Sequence, residues 1–268
     1  MFPGAIADRE TADYAVLGAP LDVSTTFQPG TRFGPERVRR FAHTFDDYDH
    51  HTDQFFTELA VHDAGDERAW DDAEEYLTFL EGTLSDLHAA GTVPLLVGGE
   101  HTVSVAGVRA ADPDVFVCLD AHLDLRAEYD GNPLSHATAT RHALEVADEA
   151  IVLGARTGSP EEWERASEAD VTVVAPEDVA AWAPDFDSDR EVYLSVDIDG
   201  ADPGFAPGTG TMEPFGLTPR EMRDVVRAVA PRATAFDVVE VNDRDDGQAA
   251  SLAGKLLREF VYHHAASR

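Results

Sequence analysis

Eight short runs of apolar, largely β-branched residues recur along the chain, each closed by Gly, Pro or Asp, and amphipathic stretches separate most of them. The runs are Tyr14 to Gly18, Leu59 to Asp63, Val93 to Gly98, Val115 to Asp120, Ile151 to Gly154, Val171 to Ala175, Val192 to Asp197 and Ala235 to Val241. Runs such as Val115-Phe116-Val117-Cys118-Leu119 are apolar without alternation, so they suit strands buried on both faces. Such strands belong in a parallel sheet with helices on either side. The expected fold is therefore α/β: a three-layer α/β/α, doubly wound sheet of eight mainly parallel strands. No repeat, linker or low-complexity tract divides the 268 residues, and one domain over 1–268 is expected.

Between the runs, Trp70, Ala73, Leu77, Leu80, Leu84 and Leu87 recur at helical spacing and predict a helix from about Glu67 to Ala90, stopped by Gly91. Thr218-Pro219 opens a second helix carrying Met222, Val225, Val226 and Val229. A third spans Gln248 to about Ala265, with His263 and His264 expected to fray at its end.

Charge narrows the function classes. With 52 Asp and Glu against 20 Lys and Arg, the net charge of −32 excludes a nucleic-acid binder working through a basic surface. Lys255 is the only lysine, and the acidic excess runs along the whole chain. Such a surface suits a salt-rich cytoplasm, where charge repulsion is screened over about 3 Å at 1 M. No secretory signal precedes Tyr14, no run has the length of a membrane span, and the single Cys118 permits no intrachain disulfide. A cytoplasmic protein without membrane attachment is expected.

Parallel sheets bind ligands beyond the carboxyl ends of their strands. Four strand ends are unusually polar: Gly98-Gly99-Glu100-His101, Asp120-Ala121-His122-Leu123-Asp124, Asp197-Ile198-Asp199 and Glu240-Val241-Asn242. In extended chain, alternate residues share a side, so Asp120, His122 and Asp124 are expected to converge, as are Asp197 and Asp199. Four carboxylates in one pocket require compensating positive charge. Six mixed oxygen and nitrogen donors exceed the needs of one tetrahedral zinc and suit two bridged ions. Ligation rich in carboxylate and free of thiolate favours Mn²⁺.

These motifs, with Ser135-His136-Ala137, Ser195-Val196-Asp197-Ile198-Asp199-Gly200-Ala201-Asp202-Pro203, Ala206-Pro207-Gly208-Thr209-Gly210-Thr211 and Pro29-Gly30-Thr31-Arg32-Phe33-Gly34-Pro35, resemble the ureohydrolase family of arginases and agmatinases over nearly the whole chain. The resemblance implies one Mn²⁺ held by His101, Asp120, Asp124 and Asp197, and a second by Asp120, His122, Asp197 and Asp199. It also implies a bridging hydroxide as nucleophile, Asp124 as acid and base, His136 as proton shuttle, Glu240 as guanidinium anchor, and a homo-oligomer, trimer or hexamer. Ala137, Met212, Phe215 and Asp243 depart from the usual pattern, and Phe215 is expected to bear on the pocket mouth.

The loop Arg126-Ala127-Glu128-Tyr129-Asp130 holds more acid than base, which suits the distal ammonium of agmatine better than the carboxylate of arginine. Arginase, guanidinobutyrase, aminopropylagmatine ureohydrolase and a non-catalytic polyamine sensor remain as alternatives. Elsewhere, Asp46 to His51 reads as a solvated loop, Asp63, Gly65 and Asp66 as a structural or ligand-supporting turn, Glu100 as a partner orienting His101, and Cys118 as inert core.

Overall fold

The computed structural model describes residues 1–187 and 189–268. Its strands are β1 (Tyr14–Ala19), β2 (Tyr48–Asp49), β3 (Gln54–Phe55), β4 (Val61–Asp66), β5 (Val93–Gly98), β6 (Val115–Leu119), β7 (Glu149–Leu153), β8 (Val171–Val174), β9 (Val192–Asp197) and β10 (Ala233–Val239). Eight of them form one sheet in the order β4-β1-β5-β10-β9-β6-β7-β8, and every pairing in it is parallel. All eight expected strands are present, shifted by a few residues at their ends. The four with polar ends lie side by side at the centre as β5-β10-β9-β6. Parallel direction brings their carboxyl ends to one edge, which is how His101 and Glu240, 139 positions apart, meet there.

The helices are α1 (Gly34–Phe41), α2 (Ala73–Ala89), α3 (Val103–Ala111), α4 (Ala139–Ala143), α5 (Pro160–Arg165), α6 (Pro176–Val179), α7 (Pro219–Val229) and α8 (Gln248–Ala266). On one face, Val38 of α1, Met222, Val225 and Val226 of α7, and Leu256, Leu257 and Phe260 of α8 pack with Leu95, Leu194 and Phe236 of the sheet. On the other, Leu77, Leu80 and Leu84 of α2 and Val105 and Ala106 of α3 cover Ala15, Leu17 and Leu96. The sheet is thus apolar on both faces, as its unalternating runs require.

Two helix ends show why propensity needs caps. The first expected helix begins later than Glu67, because Asp72 is the N-cap and its side chain accepts from the Glu75 amide. Thr218 and Glu221 form a reciprocal capping box at α7. Gly91, with φ of 78°, ends the α2 segment in the left-handed conformation.

His264 does not fray. It is 8 % exposed, its Nδ1 lies 2.8 Å from the Tyr14 hydroxyl, and its ring stacks on Phe260. Burial, aided by Arg268, lowers its pKa to about 4, so it is a neutral core residue. Asp46 to His51 contains β2 of a short antiparallel hairpin with β3, and Asp47 and Asp49 accept from Thr57 and Thr52. Asp63 and Asp66 both bind the guanidinium of Arg39, and Asp63 also takes the Gly65 amide. These acids therefore serve the fold.

Candidate metal centre

The acidic strand ends converge, but not by the alternation expected of extended chain. Asp120 follows the last residue of β6, and Asp124 has φ of 51°, a left-handed conformation that turns its carboxylate back toward Asp120. Beyond β9 the chain enters a 3₁₀ turn at once, with Asp197 as its cap accepting the Asp199 amide at 2.8 Å. Tight turns, not pleats, bring these donors together.

His101 is fully buried and its Nδ1 lies 2.8 Å from Asp124, 3.2 Å from Asp120 and 3.5 Å from Asp197. His122 Nδ1 is 3.0 Å from Asp199 and 3.6 Å from Asp120. Asp120 therefore stands between two groups of donors, one around each histidine. Gly99, two residues before His101, packs directly on the Leu21 backbone, where a Cβ would lie 1.9 Å from the Leu21 carbonyl oxygen.

These residues fit divalent metal. The Ser195 hydroxyl donates its only proton to Asp237 at 2.6 Å, so His101 Nε2, 3.2 Å from that hydroxyl, must be the donor to it. His101 Nδ1 then has no hydrogen-bond partner and faces three carboxylates, a place that only a cation or a proton can fill. Two of the carboxylates register the same deficit of positive charge, while, against burial, His101 and His122 hold Asp120 below the usual range. Burial and the neighbouring Asp199 and Asp120 push Asp197 well above the usual range, and burial with Asp120 raises Asp124 to about 6. Burial opposes protonation of His122, yet Asp199 and Asp120 outweigh it and hold its pKa up to about 12.

Glu240, with φ of 61°, turns out of β10 and accepts the His101 amide on Oε1 at 2.9 Å. Its Oε2 is buried and unpartnered. His136 Nδ1 lies 3.4 Å from Glu240 Oε1, its Nε2 3.2 Å from the Thr26 hydroxyl, and its amide donates to Ser24 Oγ. Burial opposes its charge, but Glu240 raises the pKa to about 9.

Next to these two residues opens a recess of about 330 Å³, lined by Ser24, Thr25, Thr26, Tyr129, Asp130, Asn132 and Ser135. Asp130 and Gly131 both have positive φ in a two-residue turn between Tyr129 and Asn132, which fixes Asp130 at its rim. Glu128 is exposed and does not line the recess. Arg126 does not line it; the guanidinium is paired with Glu162 and stacked over Tyr129. Phe215 places its ring 85 % in solvent, and Met212 is also exposed. Ala137 lies in an ordinary 3₁₀ turn that needs no glycine.

Two residues of the site escape sequence reading. Ser195 and Asp237 lie inside β9 and β10, where Asp237 is fully buried and held by the hydroxyls of Ser195 and Tyr193 at 2.6 and 2.8 Å. An aspartate within the apolar run Ala235 to Val239 is the signal that marks them. Glu100 does not touch the His101 ring; its carboxylate takes the amides of Val23 and Ser24 and the hydroxyls of Ser24 and Thr102. Cys118 Sγ is 3.9 Å from both His101 Nε2 and Asp120 Oδ2, and burial raises its pKa to about 12, so it is an un-ionised thiol.

A parallel eight-stranded sheet with a buried histidine and aspartate cluster at its central strand ends defines a class, and the Arginase family profile matches residues 12–262. The chain belongs to the arginase family, hydrolases that use a binuclear metal centre. It is 34 % identical to an agmatinase of Bacillus anthracis, covering 94 % of this chain and 92 % of the relative. It is 33 % identical to an N(1)-aminopropylagmatine ureohydrolase of Thermococcus kodakarensis, covering 94 % and 91 %. The solved agmatine ureohydrolase of Thermoplasma volcanium superposes with a TM-score of 0.94 at 31 % identity, covering 99 % of this chain and 94 % of that one. Among the described residues, no helix is long and apolar enough to cross a membrane.

Proposed function

We propose that this chain is an Mn²⁺-dependent agmatinase, hydrolysing agmatine and water to putrescine and urea. The observation that carries the choice of substrate is the recess beside His136 and Glu240. It is lined by hydroxyls, the Asn132 amide and one carboxylate, Asp130, and by no cation, so its charge attracts a distal ammonium and repels the carboxylate of arginine. The names of the relatives agree with a basic guanidino substrate.

One ion would be held by His101, Asp120, Asp124 and Asp197 and the other by Asp120, His122, Asp197 and Asp199. Oxygen-rich ligation without thiolate favours Mn²⁺ over softer metals. Two bound divalent ions supply the means of ionising water near neutral pH. The unpartnered Oε2 of Glu240 receives the guanidinium through a charge-assisted hydrogen bond. Asp124 takes a proton as water adds to the guanidinium carbon and returns it to the departing amine. His136, between Glu240 and the recess, carries protons between the buried site and solvent. Assembly into a trimer or hexamer and activity in molar salt complete the proposal.

The test is urea release from agmatine, arginine, guanidinobutyrate and aminopropylagmatine, each with Mn²⁺ and molar KCl. Agmatine is expected to give the highest kcat/KM. Preference for arginine or guanidinobutyrate would overturn the substrate, and urea from none of them would overturn the enzyme.

A further inference from the structure

The Glu100 carboxylate is fully buried, and four hydrogen bonds from neutral groups meet it. Burying such a charge is costly unless hydrogen bonds replace its water, and here four donors do so. Oε2 accepts the backbone amides of Val23 and Ser24, each at 2.7 Å, while Oε1 accepts the hydroxyls of Ser24 at 2.7 Å and Thr102 at 2.9 Å. Three of the four bonds go to the segment after β1, 76 or 77 residues away in sequence. Backbone bonds from Gly99 to Ala19 and from Glu100 to Leu21 join the same segment to the end of β5.

What this segment does next gives the contact its meaning. Ser24 Oγ receives the His136 amide at 2.9 Å, and Thr26 Oγ1 lies 3.2 Å from the His136 ring. Ser24, Thr25 and Thr26 form one wall of the recess opposite Tyr129, Asp130 and Asn132. The His101 ring, by contrast, is oriented from Ser195 and receives nothing from Glu100.

We infer that Glu100 is a positioning residue for substrate recognition: it holds residues 23–26 so that the recess wall and His136 face the metal centre. This rests on the reading of the recess as the distal substrate pocket. The chemistry favours glutamate over glutamine. Two backbone amides converge on Oε2, so glutamine would have to turn its NH₂ toward the two hydroxyls, which would then accept instead of donate, and its neutral oxygen would hold the amides more weakly than a carboxylate does.

The experiment compares wild type with Glu100→Gln and Ser24→Ala in three measurements. Bound manganese per subunit is expected to be unchanged in both, since neither change touches a proposed ligand. Amide hydrogen exchange at residues 23–26, measured without substrate, is expected to quicken at least tenfold in Glu100→Gln. KM for agmatine is expected to rise about tenfold in Glu100→Gln and about threefold in Ser24→Ala, with kcat changing less than KM. A purely structural role would lower the melting temperature and leave KM and segment exchange in place. Wild-type exchange and wild-type KM in Glu100→Gln overturn the inference. If that variant does not fold, wild-type values of both quantities in Ser24→Ala do the same. The exchange measurement needs no substrate, so it separates failure of this inference from failure of the agmatinase reading.

Discussion

The Nδ1 of His136 lies 3.4 Å from Oε1 of Glu240, and against the effect of burial this pairing raises the histidine pKa to about 9. A histidine whose folded pKa stands above its unfolded value of about 6.5 contributes stability fully below that pH and loses it as pH rises through the folded value. The window here is pH 6.5 to about 9. NMR titration of the metal-free protein should find His136 titrating near 9 in wild type and at lower pH in Glu240→Gln. The stability gap between the two proteins should narrow across the same window. A His136 titration that ignores the substitution would show that the ring and the carboxylate are not coupled in solution.

Asp124 combines a left-handed backbone with a carboxylate raised to about 6 by burial and Asp120. Asparagine tolerates that backbone nearly as well as aspartate and keeps one oxygen for a metal ion, but it cannot accept and return a proton. Asp124→Asn is therefore expected to lower kcat by about 10²-fold or more while retaining most of the bound manganese. The checks are urea release and metal content on the same sample. Near-normal turnover with both ions bound would remove Asp124 from proton transfer.

How far the sequence reveals this site depends on which forces act locally. The four polar strand ends are legible because a buried apolar run that closes on Asp or Glu must deliver that charge to a polar site, and the parallel sheet then aligns the four. The left-handed turn at Asp124 and the cap at Asp197 are not legible, because an alternating donor pattern fits a pleated strand equally well. Helix α1 is hidden by its Gly34-Pro35 opening, which reads as a turn, and α3 by its β-branched Val103, Val105 and Val108. There the packing against the sheet overrides weak local preference. His264 reads as a fraying end because its partner, Tyr14, lies 250 residues away.

A surface carrying 52 acids against 20 bases repels itself, and screening relieves that repulsion. With metal saturating, the melting temperature should rise between about 0.2 M and 2 M KCl, over which the screening length shrinks severalfold. Differential scanning calorimetry across that series decides it. A flat or falling melting temperature would argue that the acidic excess has no bearing on stability in salt.

Substrate choice is tested most directly at Asp130, held at the rim of the recess by the Tyr129 to Asn132 turn. The distal ammonium of agmatine is several bonds from the reacting carbon, so a contact there stabilises ground and transition states alike and should appear in KM rather than kcat. A partly exposed ion pair is worth about fivefold in affinity, and less in high salt. Asp130→Asn suits the measurement because asparagine accepts the left-handed φ of 50° at this position, so charge changes while the turn persists. KM for agmatine should rise up to about fivefold at low salt, and kcat/KM for arginine should improve relative to agmatine as a repelling carboxylate disappears. Glu128→Gln, altering an exposed acid that does not line the recess, should leave that ratio unchanged. If Asp130→Asn leaves it unchanged as well, the recess does not read the distal charge, and preference for agmatine must arise from another part of the site.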